Sequence, residues 1–137
     1  MSLSHEATAI PRLFTPTHET AGLPGYPAID VFGPRDHAVR LLDRGRVRRI
    51  SGKSPCRGGA PGGPAGWSLY IAADSGDDWY LTHFGALLVR VGDRITESTF
   101  LGTPLDTRDA PGWSTEHIHA GCKRTSGSSV EVAAIPA

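Results

Sequence analysis

The stretch Trp67-Ser68-Leu69-Tyr70-Ile71-Ala72-Ala73, the link Asp74-Ser75-Gly76-Asp77 and the run Asp78-Trp79-Tyr80-Leu81-Thr82-His83-Phe84 decide the fold. Two aromatic, β-prone runs flank four residues of turn chemistry, so they are expected to pair as an antiparallel hairpin. Residues 37–50 read as a second hairpin, with Ala38-Val39-Arg40-Leu41-Leu42 and Arg46-Val47-Arg48-Arg49-Ile50 around a turn at Asp43-Arg44-Gly45. Further short strands are expected at residues 86–91 and 95–101, on either side of Gly92-Asp93, and at 116–122 and 130–135. The 17 glycines and 11 prolines interrupt the chain too often for long helices. Only residues 38–42 and 86–91 compete as helices, and both are too short to be stable alone. Residues 51–66, with Gly58-Gly59-Ala60-Pro61-Gly62-Gly63-Pro64, hold too few apolar side chains to offset their ordering entropy and read as a surface loop. The expected fold class is all-β.

A chain of 137 residues is the size of one ordinary domain. Residues 1–25, with Pro11, Pro16 and Pro24, read as an irregular N-terminal arm belonging to that same domain, and residues 26–137 as its core. Lys plus Arg and Asp plus Glu number 14 each, so the long-range pull on nucleic acid or anionic lipid is weak and no nucleic-acid partner is expected. Arg44, Arg46, Arg48 and Arg49 form a local basic cluster, read as a solvated strand face in preference to a polyanion site. No segment approaches the roughly 18 apolar residues of a membrane span, and the N-terminus shows no secretory pattern. The two cysteines, Cys56 and Cys122, fit neither a disulfide scaffold nor a thiolate zinc site; a single bridge and two free thiols both stay open.

The chemistry is in the histidines, at positions 5, 18, 37, 83, 117 and 119. In a strand, His117-Ile118-His119 projects both imidazoles from one face and Ile118 from the other. Paired imidazoles start a metal site, although the tripeptide alone is a weak signal. His83, taken alone, reads as a core histidine bonded to a backbone carbonyl in preference to a functional group. Asp30, inside Ala28-Ile29-Asp30-Val31-Phe32, is costly to bury unless a metal or donor pairs with it. Trp67, Trp79, Tyr70 and Tyr80 read as core and pairing aromatics in preference to a glycan platform, while Trp113 lies on a loop that could line a groove.

In order along the chain stand Pro27-Ala28-Ile29-Asp30-Val31, Asp43-Arg44-Gly45-Arg46-Val47, Tyr80-Leu81-Thr82-His83-Phe84, Val91-Gly92-Asp93-Arg94-Ile95, Gly102-Thr103 and His117-Ile118-His119. This ordered set resembles the LytM/lysostaphin-type (M23) zinc metalloendopeptidases over about residues 12 to 122. The resemblance implies antiparallel sheets in a two-layer sandwich or open barrel with long loops. It also implies one Zn2+ per chain held by His18, Asp30 and His119, with His83 and His117 as the catalytic pair, one taking a proton from water and the other serving the oxyanion or the leaving amine. The implied partner is bacterial peptidoglycan, whose stem peptide or cross-bridge is cut by a monomer at the cell wall, reached by secretion, in the periplasm or by phage delivery as a lysin or virion protein. A catalytically inert wall-binding or partner-regulating relative is the alternative. One departure stands out: the common pattern sets its first histidine four residues before the aspartate, where this chain has Tyr26, and His18 lies beyond an eleven-residue stretch. His37 and His5 could take that place in principle but read as exposed polar residues. Cys122 points to the opposite face from His119 and is not expected to ligate.

Overall fold

A computed structural model describes residues 7–52, 66–106 and 115–125. These form ten strands and no helix: β1 (Ala7–Ile10), β2 (His18–Glu19), β3 (Pro27–Phe32), β4 (Ala38–Leu41), β5 (Gly45–Ser51), β6 (Trp67–Ala73), β7 (Asp78–Leu87), β8 (Arg94–Ile95), β9 (Gly102–Pro104) and β10 (His117–Lys123). All belong to one curled sheet, with the main path β1-β4-β9-β7-β10-β3-β2 and a branch in which β6 joins β7, β5 joins β6 and β8 joins β5. The all-β expectation holds. The sheet is mixed, because β1 pairs with β4 in parallel while every other pair is antiparallel.

The central hairpin forms as its sequence demands, with β6 and β7 in register from Ala72 opposite Asp78 to Ser68 opposite Thr82. The hairpin expected over residues 37–50 does not form. Both of its strands exist, but β4 pairs with β1 and β9, and β5 with β6 and β8. Ala38, Val39 and Leu41 are all buried, and β1 and β9 take the two hydrogen-bonding edges of β4, leaving none for β5. Asp43 accepts the Trp79 indole N–H at 2.9 Å, and a Cβ on Gly45 would lie 2.2 Å from the Ala72 carbonyl oxygen. The 43–45 segment is therefore pinned against β6 and β7 rather than free to turn. Two strands, β1 and β2, also lie inside the segment expected to be irregular. The strands expected at 86–91 and 95–101 shrink to the end of β7 and the two-residue β8, because Asp93 caps the Arg90 N–H and Gly92 (φ 95°) turns the chain. The expected strand at 130–135, nearly all of the 51–66 loop, Trp113, His5 and Cys56 lie outside the described residues.

Alternation divides the sheet into two faces. Trp79, Leu81, Leu69, Ile71, Ile118 and Ala120 bury one face with Ile10, Val39, Leu41, Ile95 and Leu101. The other face carries, row by row across the register, Phe32 beside His117; then Asp30, His119, Thr82 and Ser68; then Ala28, Gly121, Tyr80 and Tyr70. A smaller apolar cluster of Tyr26, Tyr70 and Tyr80 with Leu23 covers the last of these rows. Among the described residues, no helix is long and apolar enough to cross a membrane.

Candidate metal centre

His119 comes from the central strand β10 and Asp30 lies directly opposite it on β3. His18 arrives on β2, an edge strand antiparallel to β3 with His18 opposite Ala28, two residues from Asp30. The chain returns through a loop containing Gly22 (φ 79°) and Gly25 (φ 85°), and Thr17 N–H and Thr20 N–H donate to the Ala28 and Tyr26 carbonyls at 2.8 and 3.0 Å. A hairpin thus closes the eleven-residue gap. Tyr26, which holds the usual histidine's place, turns away and donates its hydroxyl proton to Asp78.

Three donor atoms converge. His18 Nε2 lies 3.1 Å from His119 Nδ1 and 3.5 Å from Asp30 Oδ1, and His119 Nδ1 lies 3.6 Å from that same oxygen. Tetrahedral zinc with bonds of about 2.0–2.1 Å separates its ligand atoms by about 3.3–3.4 Å. A triangle of sides 3.1, 3.5 and 3.6 Å has a point about 2.05 Å from each corner, roughly half an ångström off its plane. An ion at that point would meet all three donors at zinc-like distances, so the donor set fits zinc. His119 is buried, whereas His18 and Asp30 keep 38% and 34% side-chain exposure, so the group is reached from solvent on the His18 and Asp30 side. Contact with His119 holds the Asp30 carboxyl below the usual carboxylate range; partial burial opposes this, and the nearness of the His117 and His18 imidazoles adds to it. Asp30 is accordingly an anion at neutral pH.

Two histidines stand beside this triad. His117, two residues from His119 on the same face, has its Nδ1 3.1 Å from the Thr115 carbonyl, to which it donates as Nδ1–H. The His83 ring centroid is 5.1 Å from that of His117 and 6.1 Å from that of His119. Strict alternation would send His83 to the core face with Leu81, since Thr82 already shares the His119 face. It does not go there, because His83 has φ 82° and is the extra residue of a β-bulge: Ser68 pairs with Thr82 and the adjacent Trp67 with Phe84. A bulge with its extra residue in the left-handed region re-aims that side chain, and here it adds a fourth imidazole, beside His18, His117 and His119, to the site face.

Of the sequence-derived candidates, His18, Asp30, His83, His117 and His119 all reach one place. His37 lies just before β4 and takes no part in the group, and Cys122 points into the core as a free thiol. Sequence reading missed two hydroxyls. Thr17 Oγ1 lies 2.8 Å from His18 Nδ1, and the buried Thr20 Oγ1 2.8 Å from His119 Nε2. Threonine beside histidine has no sequence signature. Nor did anything single out Phe32, 63% exposed with its ring centroid 5.7 Å from His117, which with Pro34, Thr115 and Glu116 lines a shallow apolar depression next to the histidines.

No protein-family model and no curated protein matches the sequence. Among solved structures, the NMR solution structure of lysostaphin matches with a TM-score of 0.54 at 18% identity, over 81% of this chain and 49% of that one. The chain therefore spans about half the length of the lysostaphin chain it is similar to. The likeness is one of fold: this protein has a lysostaphin-like curled β-sheet, and its His-Asp-His group lies on the open face of that sheet.

Proposed function

We propose that this protein is a zinc-dependent endopeptidase that hydrolyses peptide bonds in bacterial peptidoglycan, in the stem peptide or cross-bridge, and works as a monomer at the cell wall. The observation that carries the reading is the triangle of His18 Nε2, Asp30 Oδ1 and His119 Nδ1, whose sides fit a tetrahedral ion, with two further histidines alongside. The ordered motifs shared with the M23 peptidases supply the substrate class, and the lysostaphin-like fold supports it.

His18, Asp30 and His119 would hold one zinc ion per chain. When bound, zinc supplies a water acidified toward neutral pH and a Lewis acid for the peptide carbonyl. The protein's own groups do the rest. The Nδ1–H of His117 is committed to the Thr115 carbonyl, so its Nε2 is the basic nitrogen and takes the proton as water attacks. His83 donates to the carbonyl oxygen as negative charge develops there. An extended peptide entering past Phe32 would lie across His117 and His83, its apolar side chains against the depression formed with Pro34 and Thr115.

Zinc content of protein purified without chelator tests the reading. About one zinc per chain is expected, lost in His18→Ala and Asp30→Ala, while His117→Ala keeps the metal and loses peptidase activity on purified walls. An absence of metal after zinc is added back would overturn the enzyme reading in favour of an inert wall-binding module.

A further inference from the structure

His18 offers Nε2 to the triangle and His119 offers Nδ1. Those two lone pairs converge on one ion only if the rings adopt opposite tautomers, with the proton on Nδ1 of His18 and on Nε2 of His119. Each remaining nitrogen faces a threonine hydroxyl at 2.8 Å, Thr17 Oγ1 for His18 and Thr20 Oγ1 for His119. We propose that Thr17 and Thr20 are positioning residues that fix these opposite tautomers and thereby set the metal affinity of the site; the inference rests on the metal-binding part of the reading above.

Thr17 Oγ1 also lies 3.5 Å from the Ala28 carbonyl oxygen. Its own hydrogen is directed there, at the long limit of a hydrogen bond, which leaves its lone pairs to accept from His18 Nδ1–H. Thr20 is 3% exposed, and the space its hydroxyl fills is opened by a missing side chain. A Cβ built on Gly121 would lie 2.5 Å from Thr20 Oγ1 and 3.4 Å from the Tyr26 Cβ. Gly121 is two residues beyond His119 on the same face of β10, so glycine at that point admits the hydroxyl that bonds His119. The four residues Thr17-His18-Glu19-Thr20 therefore bring one donor to the triangle and the outer hydrogen-bond partners of two. An orienting hydrogen bond on the second ring nitrogen raises ligand basicity and holds ring rotation, and its loss typically weakens metal binding about 10- to 100-fold.

The test uses Co2+ as probe, titrated into metal-free full-length protein and followed by visible absorption, then displaced by Zn2+. Thr20→Val and Gly121→Ala are expected to raise the apparent Kd about 10- to 100-fold, Thr17→Val about 10-fold, and Thr20→Ser to stay near the parent. Thr17 is exposed, so its valine variant carries little folding risk should the buried Thr20→Val fail to fold. Long-range 15N spectra of the zinc-loaded parent need no variant, and are expected to show the proton on His18 Nδ1 and on His119 Nε2. Unchanged Kd in the valine variants overturns the positioning role while leaving the metal site standing, whereas the reverse tautomers overturn the donor triangle together with the positioning role. Failure of the parent to bind either ion overturns both.

Discussion

His83→Gly and His83→Ala make a paired perturbation whose sign depends on one dihedral angle. Both remove the imidazole, so its lost contacts cancel between them. In an ordinary strand Gly is less stable than Ala by about 0.5–1 kcal/mol, because it loses more backbone freedom on folding. At φ 82° a Cβ crowds the backbone, at about 1–2 kcal/mol for any residue but glycine. The two effects leave the glycine variant ahead by about 1 kcal/mol, the reverse of the usual order. Urea unfolding followed by tryptophan fluorescence would resolve this as a midpoint roughly 0.3–1 M higher for His83→Gly. The proposed peptidase activity should fall equally in both, since neither carries an imidazole. An alanine variant as stable as the glycine variant, or more so, would falsify the left-handed bulge and with it the account of how His83 reaches the site face.

Asp77 and Arg124 form a buried pair at 3.0 Å, and Asp77 also accepts the Thr125 N–H at 2.9 Å. Burial raises the Asp77 pKa, but the Thr125 and Arg124 contacts outweigh it and hold the carboxyl below the usual range. The stability it contributes is therefore present above its unfolded value near pH 4 and lost as pH falls through the lower folded value. Asp77→Ala should cost about 3–5 kcal/mol at neutral pH and flatten the acid limb of a midpoint-versus-pH curve; an unchanged limb refutes the assignment. The Cys122 thiol, pushed up to about 12 by burial, should resist iodoacetamide at pH 8 until the protein is unfolded, as peptide mass mapping would show; native labelling at Cys122 would contradict its place in the core. Gly45→Ala drives a Cβ into the Ala72 backbone and should destabilise the fold by about 1–3 kcal/mol, read as a lower thermal midpoint.

What the sequence made legible was local. The 67–84 hairpin and the two-residue spacing of His117 and His119 follow from turn chemistry and alternation, and both stand in the structure. The residues that needed partners far along the chain were less readable. Ala7-Thr8-Ala9-Ile10 has little strand character, and only its pairing with β4 makes it a strand. The distance of His18 from Asp30 looked like a defect in the motif, because nothing local reveals that residues 17–28 fold back as a hairpin. The face on which His83 lies was hidden for the same reason, since one bulged residue reverses what alternation predicts. The pairing of β4 with β5, by contrast, was a plausible local reading overruled by partners distant in sequence, β1 and β9, which occupy both edges of β4.

The strand order has a consequence for the timing of synthesis. β10 lies between β7 and β3, yet it is the last of the ten strands to leave the ribosome. Until residues 117–123 exist, β3 and β7 each present an open edge, and neither His117 nor His119 is there to join His18 and Asp30. A growing chain therefore carries two of the three donors of the triangle and two adhesive strand edges, a state prone to wrong pairing and slow to resolve because its missing contacts are non-local. The last donor of the triangle and the strand that joins β3 to β7 arrive together, in the same seven residues.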